Sequence, residues 1–324
     1  MKKALKSPGA RRKASINDMT MLFIILVVIV VVFSFVSPNF FTYANLSRML
    51  NNMVIMGILG IALTPLIIAR GLDLSFANSL SLSTVVMAVL YGRGDIHLSI
   101  ILVIGFLLCT TVGLINGLLA ELFDLNPLIL TLGTGSILLA LAMVVAGGGR
   151  ERAMLTDPLY YFGRRAFLGI PYPVIVLIVI LFTIWFILAF SKLGRKIYLL
   201  GSNPIVARLS GIKVKQIKVL LYVITGAVTG IAAIIMVAIS GTGFPFHGTN
   251  IILPVLSALF LGGISLAGGQ GSVFRTIIGA ITITAIFNGL SLLNIAFYHI
   301  HLIQGLALIV IVSLYEVRKK TMSE

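Results

Sequence analysis

The run Arg70-Gly71-Leu72-Asp73-Leu74-Ser75 sets a cation, a carboxylate and a hydroxyl close together between two long apolar stretches. A carboxylate at membrane depth needs a counter-charge, a hydroxyl, a helix N-terminus or water, because hydrocarbon supplies none of them. Arg70, Ser75 or the first amides of a following helix can each meet that need. Two readings fit. In one, the segment is a helix break lining a passage. In the other, it is a short surface loop in which a solvated Asp73 caps the next helix. Further neutral polar groups lie within apolar stretches: Asn78, and at mid-span Asn116, Thr131, Ser136, Thr282, Thr284 and Asn288. Amides and hydroxyls recognise hydroxyls, so a path lined by Asp73, Ser75, Asn78, Asn116, Thr131 and Asn288 suits a neutral polyol better than an ion. The bland alternative for each is an interhelical hydrogen bond worth about 0.6–2 kcal/mol. Carboxylates other than Asp73 are scarce in these stretches, which argues against a proton relay.

The sequence has no Gly-x-x-x-x-Gly-Lys-Ser/Thr phosphate loop, no Gly-x-Ser-x-Gly elbow and no His-Glu-x-x-His pair. The chain is therefore expected not to be an enzyme and to hold no cofactor or metal. Its energy must come from another chain or from an ion gradient. His97, His247, His299 and His301 fall at the ends of apolar runs and read as interfacial residues rather than metal ligands. Cys109 is the single cysteine, inside an apolar run, so it forms no disulfide within the chain and reads as a small packing residue.

The elements that position these groups follow from composition. Of 324 residues, 59% are hydrophobic and 10% charged, and the mean hydropathy is +1.13. A soluble domain carries about a quarter charged residues, and a single core stops growing at roughly 250–300 residues, so lipid must be the main solvent. Apolar runs cover 19–36, 50–69, 74–91, 98–120, 127–147, 171–190, 218–240, 251–267, 273–293 and 300–316. They predict an all-α polytopic membrane protein of about ten transmembrane helices, with 251–267 short enough to be re-entrant. The first run lacks a small-x-small cleavage site after it and reads as a retained helix. Residues 1–324 read as one transmembrane domain.

Net charge is +15, from 24 Lys+Arg against 9 Asp+Glu. These residues sit in short runs between apolar stretches, with no stripe of interleaved aromatics, so they orient helices rather than bind nucleic acid. Ten alternating spans place the 1–18 tail, the 191–217 loop and the C-terminal tail together in the cytoplasm. The 148–170 loop, with Arg150, Arg152, Arg164 and Arg165, falls outside against the rule. Gly113–Leu119 is similar to Ala285–Ser291 in spans of opposite direction, as in an inverted five-helix repeat. Gly113/Gly117 and Gly226/Gly230 have the spacing of close helix packing.

The 191–217 loop contains a short helix with a defined start and stop. Asn203 caps it, Pro204 takes its first position and Gly211 ends it. Ile205, Val206 and Leu209 ride on it, as on a docking element for a partner's groove; a helix lying on lipid headgroups is the alternative.

Gly194-Arg195, Gly201-x-Asn203 and Ala207-Arg208-Leu209-Ser210-Gly211-Ile212 resemble the cytoplasmic loop of ribose/arabinose/galactose-type ABC permeases. Arg70–Ser75 is similar to that family's Gly-Ile-Asp-Leu-Ser stretch. Asn116-Gly117 with Pro127 and Thr131-Leu132-Gly133-Thr134 is similar to its Asn-Gly…Pro-x-x-x-Thr-Leu-Gly-Thr run, and Gly262-Gly263-Ile264-Ser265-Leu266-Ala267-Gly268-Gly269-Gln270-Gly271 to its glycine signature. The resemblance runs from Pro38 to the last span. It implies a pore of two permeases, identical or paralogous, in the bacterial cytoplasmic membrane. It implies an extracytoplasmic sugar-binding protein and ATPase subunits that bind the ATP. It makes 201–212 the coupling helix, with Gly201, Asn203, Ala207, Arg208, Ser210, Gly211 and Ile212 at the ATPase contact. Phe76-Ala77 and Arg275 depart from the family pattern. The competing expectations are an ion-coupled transporter working through Asp73 and a branched-chain amino acid ABC permease.

Overall fold

The computed structural model describes residues 8–154, 157–296, 298–300, 302–306, 309 and 313, with side chains from residue 19 onward except that of Asp157. The chain is helical almost throughout, in the order α1 (Pro8–Val36), α2 (Tyr43–Ile68), α3 (Phe76–Arg93), α4 (Leu98–Leu122) and α5 (Pro127–Ala146). Next come β1 (Arg152–Ala153), α6 (Asp157–Arg164), β2 (Ala166–Phe167), β3 (Ile170–Pro171) and α7 (Tyr172–Phe190). The order closes with α8 (Lys192–Ser202), α9 (Pro204–Leu209), α10 (Val214–Ser240), β4 (Thr242–Gly243), α11 (Ile252–Leu261) and α12 (Val273–Leu292).

Seven of the described helices are long and apolar enough to cross a membrane: α1 from Met19, α2, α4, α5, α7, α10 and α12. This is an all-helical polytopic membrane protein. The ten expected spans resolve differently in three places. Span three is α3, 18 residues long, whose Ser79, Ser81, Ser83 and Thr84 are all buried in the protein. Span eight is shortened to α11, and the segment that leads into it from α10 is irregular. An irregular stretch after α10 runs along α3, with Gly243 against Thr84 and Ala88 and Gly248 against Ala77. There Gly248 N–H donates to Ser81 Oγ at 2.8 Å. Only then does the ten-residue α11 begin; at 1.5 Å per residue it covers about half of a ~30 Å hydrocarbon layer. Irregular backbone at such depth survives only where protein buries it. About half of the tenth span, 300–316, lies outside the described residues, as does the C-terminal tail.

α2 is the buried axis, packed by α10, α12, α7 and α11, while α1 lies at the edge against α12. α4 and α10 meet through the two Gly-x-x-x-Gly runs, as their spacing predicts. A Cβ on Gly113 would strike the Tyr222 carbonyl, and one on Gly226 would strike that of Cys109. Cys109 is fully buried there.

The connections sort onto two ends. At one end, β1 pairs antiparallel with β4 (Arg152 opposite Gly243), and Gly163 of α6 lies under Ala238 of α10. The other end gathers 69–75, 121–126, α8–α9 and the glycine loop 262–272. Ion pairs join Lys218 to Glu121 and Lys215 to Asp124, each at 3.1 Å. The Asn-Gly pairs of α4 and α12 stand near opposite ends, the placement an inverted repeat requires.

Candidate functional site

The break between α2 and α3 is built by a backbone device. Past the C-cap Ala69, Arg70 N–H donates to the Ile67 carbonyl at 2.9 Å and Gly71 N–H to that of Leu66 at 2.8 Å. This is a Schellman closure, whose left-handed position usually holds Gly. Here Arg70 takes it, at φ 62°. α9 ends in the same way, but with Gly211 at that position, φ 75°, followed by Ile212 N–H donating to the Ala207 carbonyl at 3.1 Å.

Asp73 is 2% exposed. Its Oδ1 accepts from Ser75 N–H at 2.8 Å and from Ser75 Oγ at 2.7 Å. The carboxylate thus caps α3 as the surface-loop reading had it, yet it is buried as the helix-break reading had it. The start of α3 supplies its donors and the local positive dipole. Arg70 is not its partner.

Around this cap the neighbouring helices converge. Asn116 of α4, 0% exposed, donates from Nδ2 to Ser75 Oγ at 2.8 Å. Leu74 N–H donates to Thr131 Oγ1 of α5 at 3.0 Å, and Asn78 Nδ2 to the Gly135 carbonyl at 2.9 Å. Tyr222 of α10 donates to the Leu72 carbonyl at 3.0 Å. Five of the six path residues read from the sequence, Asp73, Ser75, Asn78, Asn116 and Thr131, therefore form one cluster. Asn116 and Thr131 sit near the helix ends beside the break, not at mid-span. Asn78 Oδ1 and Asn116 Oδ1 are buried without a hydrogen-bond partner among the described residues.

Asn288 does not join them. Its amide exchanges hydrogen bonds with Asn45 of α2 at 2.8 and 2.9 Å, and Asn45 also donates to the Phe40 carbonyl at 2.8 Å. The pair closes α12 onto the start of α2, at the opposite end. Ser136 and Thr282 follow neither reading: their hydroxyls donate to carbonyls one turn back in their own helices.

Below the break stands the α8–α9 segment. Asn203 Oδ1 accepts from Ile205 N–H at 3.0 Å and Val206 N–H at 3.2 Å, the cap expected there. Ile205 and Leu209 are 71% and 83% exposed, while Ala207 is buried against the body. Asn203, Arg208, Ser210 and Gly211 are exposed, Ile212 is half-buried and Gly201 is buried. Three sequence motifs meet at Gly201. Arg70 donates from Nε to the Gly201 carbonyl at 2.7 Å and from a terminal nitrogen to that of Ser202 at 3.2 Å. Gly269 N–H donates to the Ile68 carbonyl at 2.8 Å, and Tyr198 Oη to that of Gly271 at 3.0 Å. A Cβ on Gly201 would collide with Ile68 and Gly269. Sequence reasoning missed Tyr198 and Tyr222 as clasps, because a lone tyrosine at a helix face has no local signature. It also weighed Arg70 only as a partner for Asp73.

The family model described as "Branched-chain amino acid transport system / permease component" matches residues 45–312. The chain is 32% identical over 292 residues to the ribose import permease protein of Escherichia coli K12, covering 89% of this chain and 91% of that one. It is 31% identical over 293 residues to the D-allose transport system permease protein of the same organism, 90% of each chain. It is 30% identical over 303 residues to an autoinducer 2 import system permease protein of Enterobacter sp. 638, 92% of each.

Proposed function

The chain belongs to the transport-system permease family whose model spans residues 45–312, and on that premise we propose that it is the membrane-spanning subunit of an ATP-driven importer for a simple sugar. The observation that carries the substrate class is likeness along about nine-tenths of the chain to import permeases named for ribose and D-allose. The geometry supports it. Five neutral or hydrogen-bonded polar side chains gather at the α2–α3 break, two of them amides whose buried oxygens have no partner among the described residues, an arrangement suited to hydroxyl groups and not to a bare ion.

In this reading the protein sits in the bacterial cytoplasmic membrane with its termini and the α8–α9 end in the cytoplasm. A second copy or a paralogue completes the pore, and an extracytoplasmic binding protein delivers the sugar to the end that carries β1, β4 and α6. ATP is bound and hydrolysed by a separate subunit docked on α9; this chain needs no cofactor of its own. ATP binding there biases the pore between inward- and outward-open states. The closed packing around Asp73 is then a gate near the cytoplasmic side.

The test is to tag the chain, extract it gently from native membranes and identify what co-purifies, alongside Ala207→Glu and Gly211→Pro. Glutamate has no room at the buried Ala207, and proline cannot adopt the left-handed backbone of residue 211. An ATPase retained by the wild type and lost by both variants supports the assignment. Uptake of labelled ribose and allose, with leucine as competitor, then fixes the substrate class. Competition by leucine alone would move the reading to amino acids, the class for which the family model is named.

A further inference from the structure

The position that ends α2 needs a left-handed residue, and the chain has a glycine only one place too late, at Gly71. In α9 the identical closure uses Gly211. An L-residue in this conformation is disfavoured, and such outliers persist where surrounding contacts hold them. The contacts here are specific. Arg70 reaches out of the membrane body and grips the two carbonyls, of Gly201 and Ser202, that immediately precede the α9 cap Asn203. On its other side a Cβ at Gly268 would strike the Arg70 side chain, so the glycine loop leaves a slot for it. Three residues onward along the same backbone is Asp73, the centre of the polar cluster.

We propose that Arg70 is a positioning residue that transmits movement of α9 into the α2–α3 break, linking the ATPase dock to the gate. The inference rests on the importer reading. A displacement of residues 201–203 pulls the guanidinium, which turns the left-handed residue 70 and with it the short run to Asp73 and Ser75. Because Ser75 holds Asn116, and Leu74 and Leu72 hold Thr131 and Tyr222, that turn changes the seats of α4, α5 and α10 together. A salt bridge to Asp73 would tie the gate to itself. Bonds to carbonyls of the α8–α9 junction tie it to the dock.

The test uses the complete transporter, this chain with its ATPase and binding protein, in bilayer vesicles. ATP hydrolysed and labelled sugar accumulated are measured together, with the sugar that the wild type takes up. Arg70→Gly is the informative variant, since glycine suits the left-handed position and only the grip is removed. Its melting temperature in detergent is expected to stay within about 3 °C of wild type, and the ATPase to remain bound. Sugar moved per ATP hydrolysed is expected to fall at least tenfold, the size of one of the two charge-assisted hydrogen bonds lost. Arg70→Lys, keeping charge and one donor, should recover part of the ratio; if the glycine variant does not fold, the lysine variant decides by the same ratio. An unchanged ratio overturns the proposal. So does an equal fall in hydrolysis and uptake, or loss of the ATPase, either of which makes Arg70 part of the dock. A wild type that retains an ATPase and takes up sugar, beside a fully coupled Arg70→Gly, refutes the transmission alone. A wild type that does neither defeats the importer reading and the proposal with it.

Discussion

Asp73 keeps its carboxylate inside the protein because the chain turns the first donors of α3 onto it, and an amide oxygen would satisfy the same donors. Asp73→Asn is therefore expected to preserve folding and to leave uptake within a few-fold of wild type. Asp73→Leu strands the buried Ser75 N–H and hydroxyl and should cost about 1–3 kcal/mol, read as a lower melting temperature in detergent. Abolished uptake in a well-folded Asp73→Asn would favour the ion-coupled alternative instead. Much of this was legible in the sequence, since an Asp two places before a Ser at a helix start is a local capping signal. Asn288 was not, for Asn116 and Asn288 sit in near-identical local contexts. What separates them is the partner each meets, Ser75 for one and Asn45 for the other, and neither pairing has a local trace.

At the scale of elements, α4 and α10 touch backbone to backbone along Gly113, Gly117, Gly226 and Gly230. Gly113→Ala and Gly226→Ala each place a methyl against a carbonyl of the facing helix, so the helices must separate. A loss of about 1–3 kcal/mol is expected for each, measured as reduced thermal stability and yield, with little additivity because both open one seam. α9 behaves in the opposite way. Ile205 and Leu209 touch little of this chain, so Ile205→Ser with Leu209→Ser should change stability by no more than about 0.5 kcal/mol while abolishing ATPase retention on an affinity column. α9 could be read from its cap and stop, which are local. The irregular stretch between α10 and α11 could not. It has no periodicity, and it is held in place by Ser81, Ala77 and Thr84, some 160–170 residues earlier.

Over the whole molecule, the connections at each end form a separate assembly: ion pairs, α8–α9 and the glycine loop at one, the β1–β4 pairing and α6 at the other. An importer driven by ATP at one end alone should ignore ion gradients. Uptake into vesicles loaded with ATP is expected to survive ionophores that collapse the proton and sodium gradients, and to stop when the ATP is removed; the reverse pattern would sink the reading. The arrangement of α3 also has a consequence for how the protein is made. Its buried hydroxyl face is covered in part by the irregular stretch after α10, which the ribosome has not yet produced when α3 emerges. At roughly 5–20 residues per second, α3 waits on the order of ten seconds for that cover. Until then its serines must be shielded by α4 and α5 or by the insertion machinery, and a chain stalled in that interval exposes to quality-control proteases the very helix on which the gate depends.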